Sequence, residues 1–172
     1  NLGDILDRPV SAIGNRVGGR QEFLVTAAND GMVHLFQSDD LAGAANPYHL
    51  KLSYIPADMQ RDGDNGGETM GKTLKELAQD GYGNLDKPHR YMVNGGFTLR
   101  QTPDSSYSKG QQIFMAGAMG QGGRGAYALN IGGKNRVNGS GLALNGSDME
   151  KDVPLFETAK GAGNTLGYTI GT

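Results

Sequence analysis

Two stretches of the chain follow one plan. Glu22 to Gln37 reads EFLVTAANDGMVHLFQ: an apolar run from Phe23 to Ala28, a break at Asn29-Asp30-Gly31, and a second run from Met32 to Phe36. Gln111 to Ile131 reads QQIFMAGAMGQGGRGAYALNI: a run from Ile113 to Met119, a glycine-rich break at Gly120, Gly122, Gly123 and Gly125, and a run from Ala126 to Ile131. Apolar runs of this length on either side of a glycine turn predict β-hairpins. Aligned on their turns, Val33-His34-Leu35-Phe36 and Tyr127-Ala128-Leu129-Asn130 hold comparable places. A second echo brackets the pair: Leu2-Gly3-Asp4-Ile5 near the start and Leu166-Gly167-Tyr168-Thr169 near the end. The pattern predicts repeated β-units with long insertions. All seven turn residues named above are assigned architectural roles, with several of the Gly120–Gly125 glycines expected at positive φ.

Weaker strands are expected at Lys51–Pro56, Arg90–Val93 and Phe97–Gln101, the last two joined by Asn94-Gly95-Gly96 as a third hairpin turn. One helix is expected at Lys72–Ala78, where Leu74 and Leu77 share a face among good helix formers. Asp58–Gly67 and Gly132–Ser147 read as polar loops. The second holds Asn138-Gly139-Ser140 and Asn145-Gly146-Ser147, which match the glycosylation sequon but are also ordinary turn dipeptides. The expected fold class is therefore all-β, mainly antiparallel, with one short helix and no internal domain boundary across residues 1–172.

Composition narrows the chemistry. Glycine is unusually frequent, 29 of 172 residues, while the net charge is only −2. The high net charge that accompanies disorder is missing. Sixteen Lys and Arg against eighteen Asp and Glu leave no bulk footprint for nucleic acid. No apolar run approaches the roughly 20 residues of a membrane helix. The absence of cysteine excludes disulfides, thiolate metal sites and cysteine catalysis. The chain begins at Asn1 with no signal-peptide pattern, so any export signal is expected outside these residues.

Two glycine motifs match nucleotide signatures but lack the context those signatures need. GGETMGKT, with Gly66, Gly71, Lys72 and Thr73 at the defining positions, fits G-x-x-x-x-G-K-[ST]. In a working phosphate loop the backbone N–H groups cradle phosphates, the lysine reaches the outer phosphates and the threonine ligates magnesium. That loop follows a buried parallel strand; here a polar stretch precedes it. Gly120-Gln121-Gly122-Gly123-Arg124-Gly125 fits G-x-G-x-x-G, but a β-patterned AYALNI follows it where a helix is required. Asp58, Asp62, Asp64 and Glu68 form an acidic cluster of the kind that binds calcium, yet the EF-hand order fails from either starting aspartate. His34, His49 and His89 share no ligand spacing, and no nucleophile elbow is present. No catalytic residue is assigned.

The two hairpin segments resemble the repeat of quinoprotein-like β-propellers, in which a strand runs through Asn-Asp-Gly into a strand carrying an aromatic residue. In order along the chain, LGDILDRPV (Leu2–Val10), ANDGMVHLF (Ala28–Phe36), SYIP (Ser53–Pro56), HRYMVNGG (His89–Gly96), AGAMGQGGRGAYALNI (Ala116–Ile131) and LGYTIGT (Leu166–Thr172) are similar to the C-terminal propeller of the PilC/PilY family of type IV pilus biogenesis proteins and tip adhesins. The family often carries aspartate where this chain has Asn94 and Asn130, and the blade-end tryptophans are missing. The resemblance implies a partial propeller of about two blades. It implies a role in pilus assembly, retraction control (hence twitching), attachment and virulence, by interaction and not by a reaction. The implied partners are pilin or minor pilins, the host-cell surface and the remaining blades. The implied location is the outer membrane, cell surface or pilus tip of a bacterium that exports the protein. The calcium loop of some relatives lies further along the propeller, beyond Thr172, so no cofactor is expected here. The alternatives are a nucleotide-binding enzyme using GGETMGKT and a quinoprotein dehydrogenase-like fragment.

Overall fold

A computed structural model describes residues 3–5, 10–14, 21–38, 47–59, 70–103, 112–133, 144, 147–158, 163 and 165–169. Among the described residues, eight strands form two antiparallel sheets, each a simple meander. The first runs β1 (Ser11–Ile13), β2 (Phe23–Ala28), β3 (Met32–Ser38) and β4 (Tyr48–Tyr54). The second runs β5 (Phe97–Gln101), β6 (Gln112–Ala118), β7 (Ala126–Gly133) and β8 (Pro154–Glu157). Helix α1 (Met70–Leu77) lies between the sheets in sequence, and a single turn of helix, α2 (Met149–Asp152), leads into β8. Strand far outweighs helix among the described residues, as the hairpin pattern predicts, and the chain matches a partial β-propeller.

The repeat is visible in the strand register. In the first sheet Val25 pairs with Leu35 and Leu35 with Leu52; in the second Met115 pairs with Leu129 and Leu129 with Pro154. The next rung is Ala27, Val33 and Tyr54 in one sheet and Gly117, Tyr127 and Glu157 in the other. Cross-strand partners share a face, so these rungs exchange volume directly. Gly117 leaves room for its partner: a Cβ there would lie 2.4 Å from Tyr127 Cζ. Buried residues of both sheets, among them Phe23, Val25, Val33, Leu35, Ile113, Met115, Tyr127 and Leu129, make one core with Met59, Met92 and Met119. Leu74 and Leu77 of α1 lie against that core.

One expected strand is absent. Residues 90–93 are irregular and form no ladder, so Asn94-Gly95-Gly96 is not a hairpin turn. Met92 and Val93 are fully buried, and the Met92 N–H is spent on a side chain, Asn29 Oδ1, at 3.2 Å. The apolar character that suggests a strand serves burial between two turns instead. The first turn is a three-residue loop closed by Gly31 at φ 86°. Glycine at this left-handed position is the usual chemistry of such hairpins.

Candidate functional site

The functional features gather at the end of the sheets where the β2–β3 and β6–β7 turns lie. Each turn is wedged between two segments distant from it in sequence. Asn29 donates its N–H to Asp4 O on one side (2.9 Å) and accepts from Met92 N on the other. The β6–β7 turn repeats the arrangement: Gln121 N donates to Asn94 Oδ1 (3.0 Å) and Gly120 N to Thr169 Oγ1 (3.0 Å). The echoing segments at the two ends of the sequence thus dock on equivalent turns.

Asp30 anchors the first turn. Its Oδ1 accepts from Met32 N, and its Oδ2 accepts from Gly3 N (3.2 Å) and from His34 Nε2 (2.7 Å). Burial raises the Asp30 pKa, but the hydrogen bond and charge of His34 and the two backbone donors outweigh it, and the net shift is downward. An ionised carboxylate only accepts, so His34 Nε2 carries the hydrogen. His34 Nδ1 meets Ser53 Oγ at 2.9 Å, which completes a Ser53–His34–Asp30 chain. These are the residue types of a hydrolytic triad, and they escape sequence reasoning because three strand and turn positions are joined only by the register. Ser53 sits within β4 directly opposite His34, in regular pairing and not on a strained elbow. The chain reads as a clamp from the turn to the outer strand.

The second turn uses close backbone approach. Its middle is a 3₁₀ turn, Gly120–Gly122. Of the four glycines only Gly120 has a positive φ, 63°; Gly123, at 175°, is simply extended. The expectation of several left-handed residues is therefore corrected, and the reason for glycine is space. A Cβ on Gly122 would lie 1.4 Å from Met92 O, and one on Gly125 would lie 2.2 Å from Thr158 Oγ1 and 2.7 Å from Asp58 Oδ2.

The acidic and phosphate-loop residues fall in different surroundings. Asp58 is buried against Gly123 and Gly125, and its Oδ2 has no hydrogen-bond partner among the described residues. Asp62, Asp64 and Glu68 lie outside the described residues, as does Gly66. Among the described residues no group of three His, Cys, Asp or Glu could hold a metal ion. Gly71 and Lys72 are exposed on α1, whereas Thr73 is buried with its hydroxyl unpaired among the described residues. A phosphate loop needs that lysine and that threonine on one ligand.

The sheets also meet at their outer edge. Tyr54 OH donates to Glu157 Oε2, Ala57 N donates to the same oxygen at 3.2 Å, and the rings of Tyr54 and Tyr127 lie 5.8 Å apart. Burial, then the hydrogen bond and charge of Glu157, pushes the Tyr54 phenol above its ordinary range; burial alone does so for Tyr127.

A cleft of about 560 Å³ opens beside the first turn, lined by Gly3, Asp4, Asn29, Asp30, the 77–83 stretch after α1 and His89. With Asn29 Oδ1 committed to Met92, the amide presents N–H to His89 Nε2 at 3.3 Å. The His89 ring lies between Tyr82 and Tyr91, with centroids 5.9 and 6.0 Å away.

A family model described as the PilY1 beta-propeller domain matches residues 3–172. No curated protein and no solved structure matches the chain.

Proposed function

Because the chain belongs to the PilY1 β-propeller family, we propose that it acts in a type IV pilus system through its surfaces and not through a reaction. The observation that carries this reading is the coincidence of the family match over residues 3–172 with two meanders in the same register. A scaffold of this kind presents loops on a rigid frame, and loops so placed commonly bind. The finer reading is that residues 1–172 are a fragment of a single propeller domain, in an exported protein at the outer membrane, cell surface or pilus tip. It contacts pilin or minor pilins and supports pilus assembly, twitching and attachment to host cells.

The non-catalytic part of the proposal rests on site geometry. The Ser53–His34–Asp30 chain joins paired strands. Lys72 and Thr73 face different environments. The test is deletion of the encoding segment in its bacterium, scoring surface pili, twitching and host-cell attachment. Loss of piliation or attachment is expected. All three intact, in a strain without a second copy, would overturn the proposal.

A further inference from the structure

We infer that the cleft beside the first turn receives a lysine or arginine side chain from a partner protein. The cleft has the volume of an ordinary ligand site, far more than one small ion fills. Its charged lining among the described residues is one-sided: Asp4, Asp30 and Asp80 contribute carboxylates, and no described lysine or arginine lines it. The carboxylates differ in role. Asp30 spends its oxygens on Gly3, Met32 and His34, so it supplies a fixed negative field at the floor and no direct contact. Asp4 and Asp80 stand exposed at the rim; His89 Nε2 lies 3.8 Å from Asp4 Oδ2, and that nitrogen accepts from Asn29.

The rest of the lining suits the stem of such a side chain. Leu77, Ala78 and Tyr82 line the same cleft and give it apolar surface. Basic side chains bury their methylenes along such surface while the charged head reaches polar partners. The Tyr82 and His89 rings add π surface, which favours an organic cation. The rim already receives one ammonium, since Lys87 Nζ donates to Gln79 Oε1. A compact divalent ion fits less well. It asks for six to eight oxygens converging on one point, whereas no three acidic or histidine groups among the described residues are so placed.

The test uses saturation-transfer NMR on the whole protein, observing the peptides acetyl-Gly-Lys-Gly-amide and acetyl-Gly-Arg-Gly-amide at low salt. Acetyl-Gly-citrulline-Gly-amide serves as the uncharged isostere. Saturable transfer to the lysine and arginine methylenes is expected, with none to citrulline. The double variant Asp4→Asn, Asp80→Asn should weaken binding at least about fivefold, because rim charges set a modest but real attraction. Its melting temperature should not move, since both residues are exposed. Asp80→Lys, which tethers an ammonium at the rim, should abolish the signal. Glu150→Lys, an equal charge change elsewhere on the surface, should leave it unchanged. No transfer from either cation, equal transfer to citrulline, or equal weakening by Glu150→Lys would overturn the inference. So would displacement of the peptides by millimolar calcium in the native protein, which would make the cleft a metal site.

Discussion

The two hairpin turns occupy equivalent places and are secured by opposite means. The Asn29-Asp30-Gly31 turn is tied by side chains, with Asn29 reaching Met92 and His89 and Asp30 reaching Gly3, Met32 and His34. The 119–125 turn is tied through its own backbone: its glycines admit Met92 and Asp58 at close range, and the Gly120 and Gln121 N–H groups donate to the side chains of Thr169 and Asn94. One repeat position therefore accepts either polar reach or steric absence. What the repeat fixes is the demand that each turn grip the segments on both its sides.

The difference predicts which substitutions each turn tolerates. The largest effect is expected at Gly122. Even alanine would force the Met92 carbonyl aside, and overpacking against backbone falls at the severe end of core substitutions, about 3 kcal/mol or more. Urea unfolding of Gly122→Ala should show a lower midpoint with an unchanged slope. A midpoint like that of the native protein would mean that the second turn is not held by close approach. Gly125→Val should destabilise by the same mechanism.

Next comes Asn29→Ala. It strands the buried Met92 N–H, which costs about 1–3 kcal/mol, and Asn29→Asp should recover part of the loss because the acceptor is retained. If Asn29→Ala proves neutral, the first turn is not side-chain tied.

Asp30 gives the first turn a pH dependence that the second turn has no counterpart for. Its folded pKa lies below its unfolded one. The associated stability is therefore full above about pH 4, near the unfolded aspartate value, and is lost as pH falls through the folded value. Asp30→Asn should flatten the stability profile in that acidic window and be destabilising above it. Parallel profiles for the two proteins would remove Asp30 from the account.

The smallest effect is expected at Lys72→Ala, on an exposed face of α1 remote from either turn's mechanism. Stability should change by no more than about 0.5 kcal/mol. Calorimetry showing micromolar ATP binding that this substitution abolishes would restore the phosphate-loop reading.

How well the sequence predicts this molecule follows from the same contrast. Phe23–Ala28 and Phe97–Gln101 coincide with observed strands because local apolar runs between breakers determine them. The helix expected at Lys72–Ala78 forms over Met70–Leu77. Arg90–Val93 fails as a strand because tertiary burial overrides local preference. Strand β8 and helix α2 are too short to leave a periodic signal. The two-sided grip on the turns is foreshadowed by the echo of Leu2–Ile5 and Leu166–Thr169. The Ser53–His34–Asp30 chain and the cleft are not, since residues distant in sequence become neighbours only through register and loop placement.

The two-sided grip also has a kinetic consequence. The β2–β3 turn closes between near neighbours, whereas Asn29 and Met92 are 63 residues apart and Tyr54 and Glu157 are 103 apart. Loop closure over such spans carries its entropic cost before any contact compensates it. Each meander can thus assemble from its own hairpins, with the ties between them closing last. A tie that forms after the transition state governs how fast the native state comes apart and hardly affects how fast it assembles. The links at Asn29 and Glu157 then act as latches, setting the lifetime of the folded state more than the speed of reaching it.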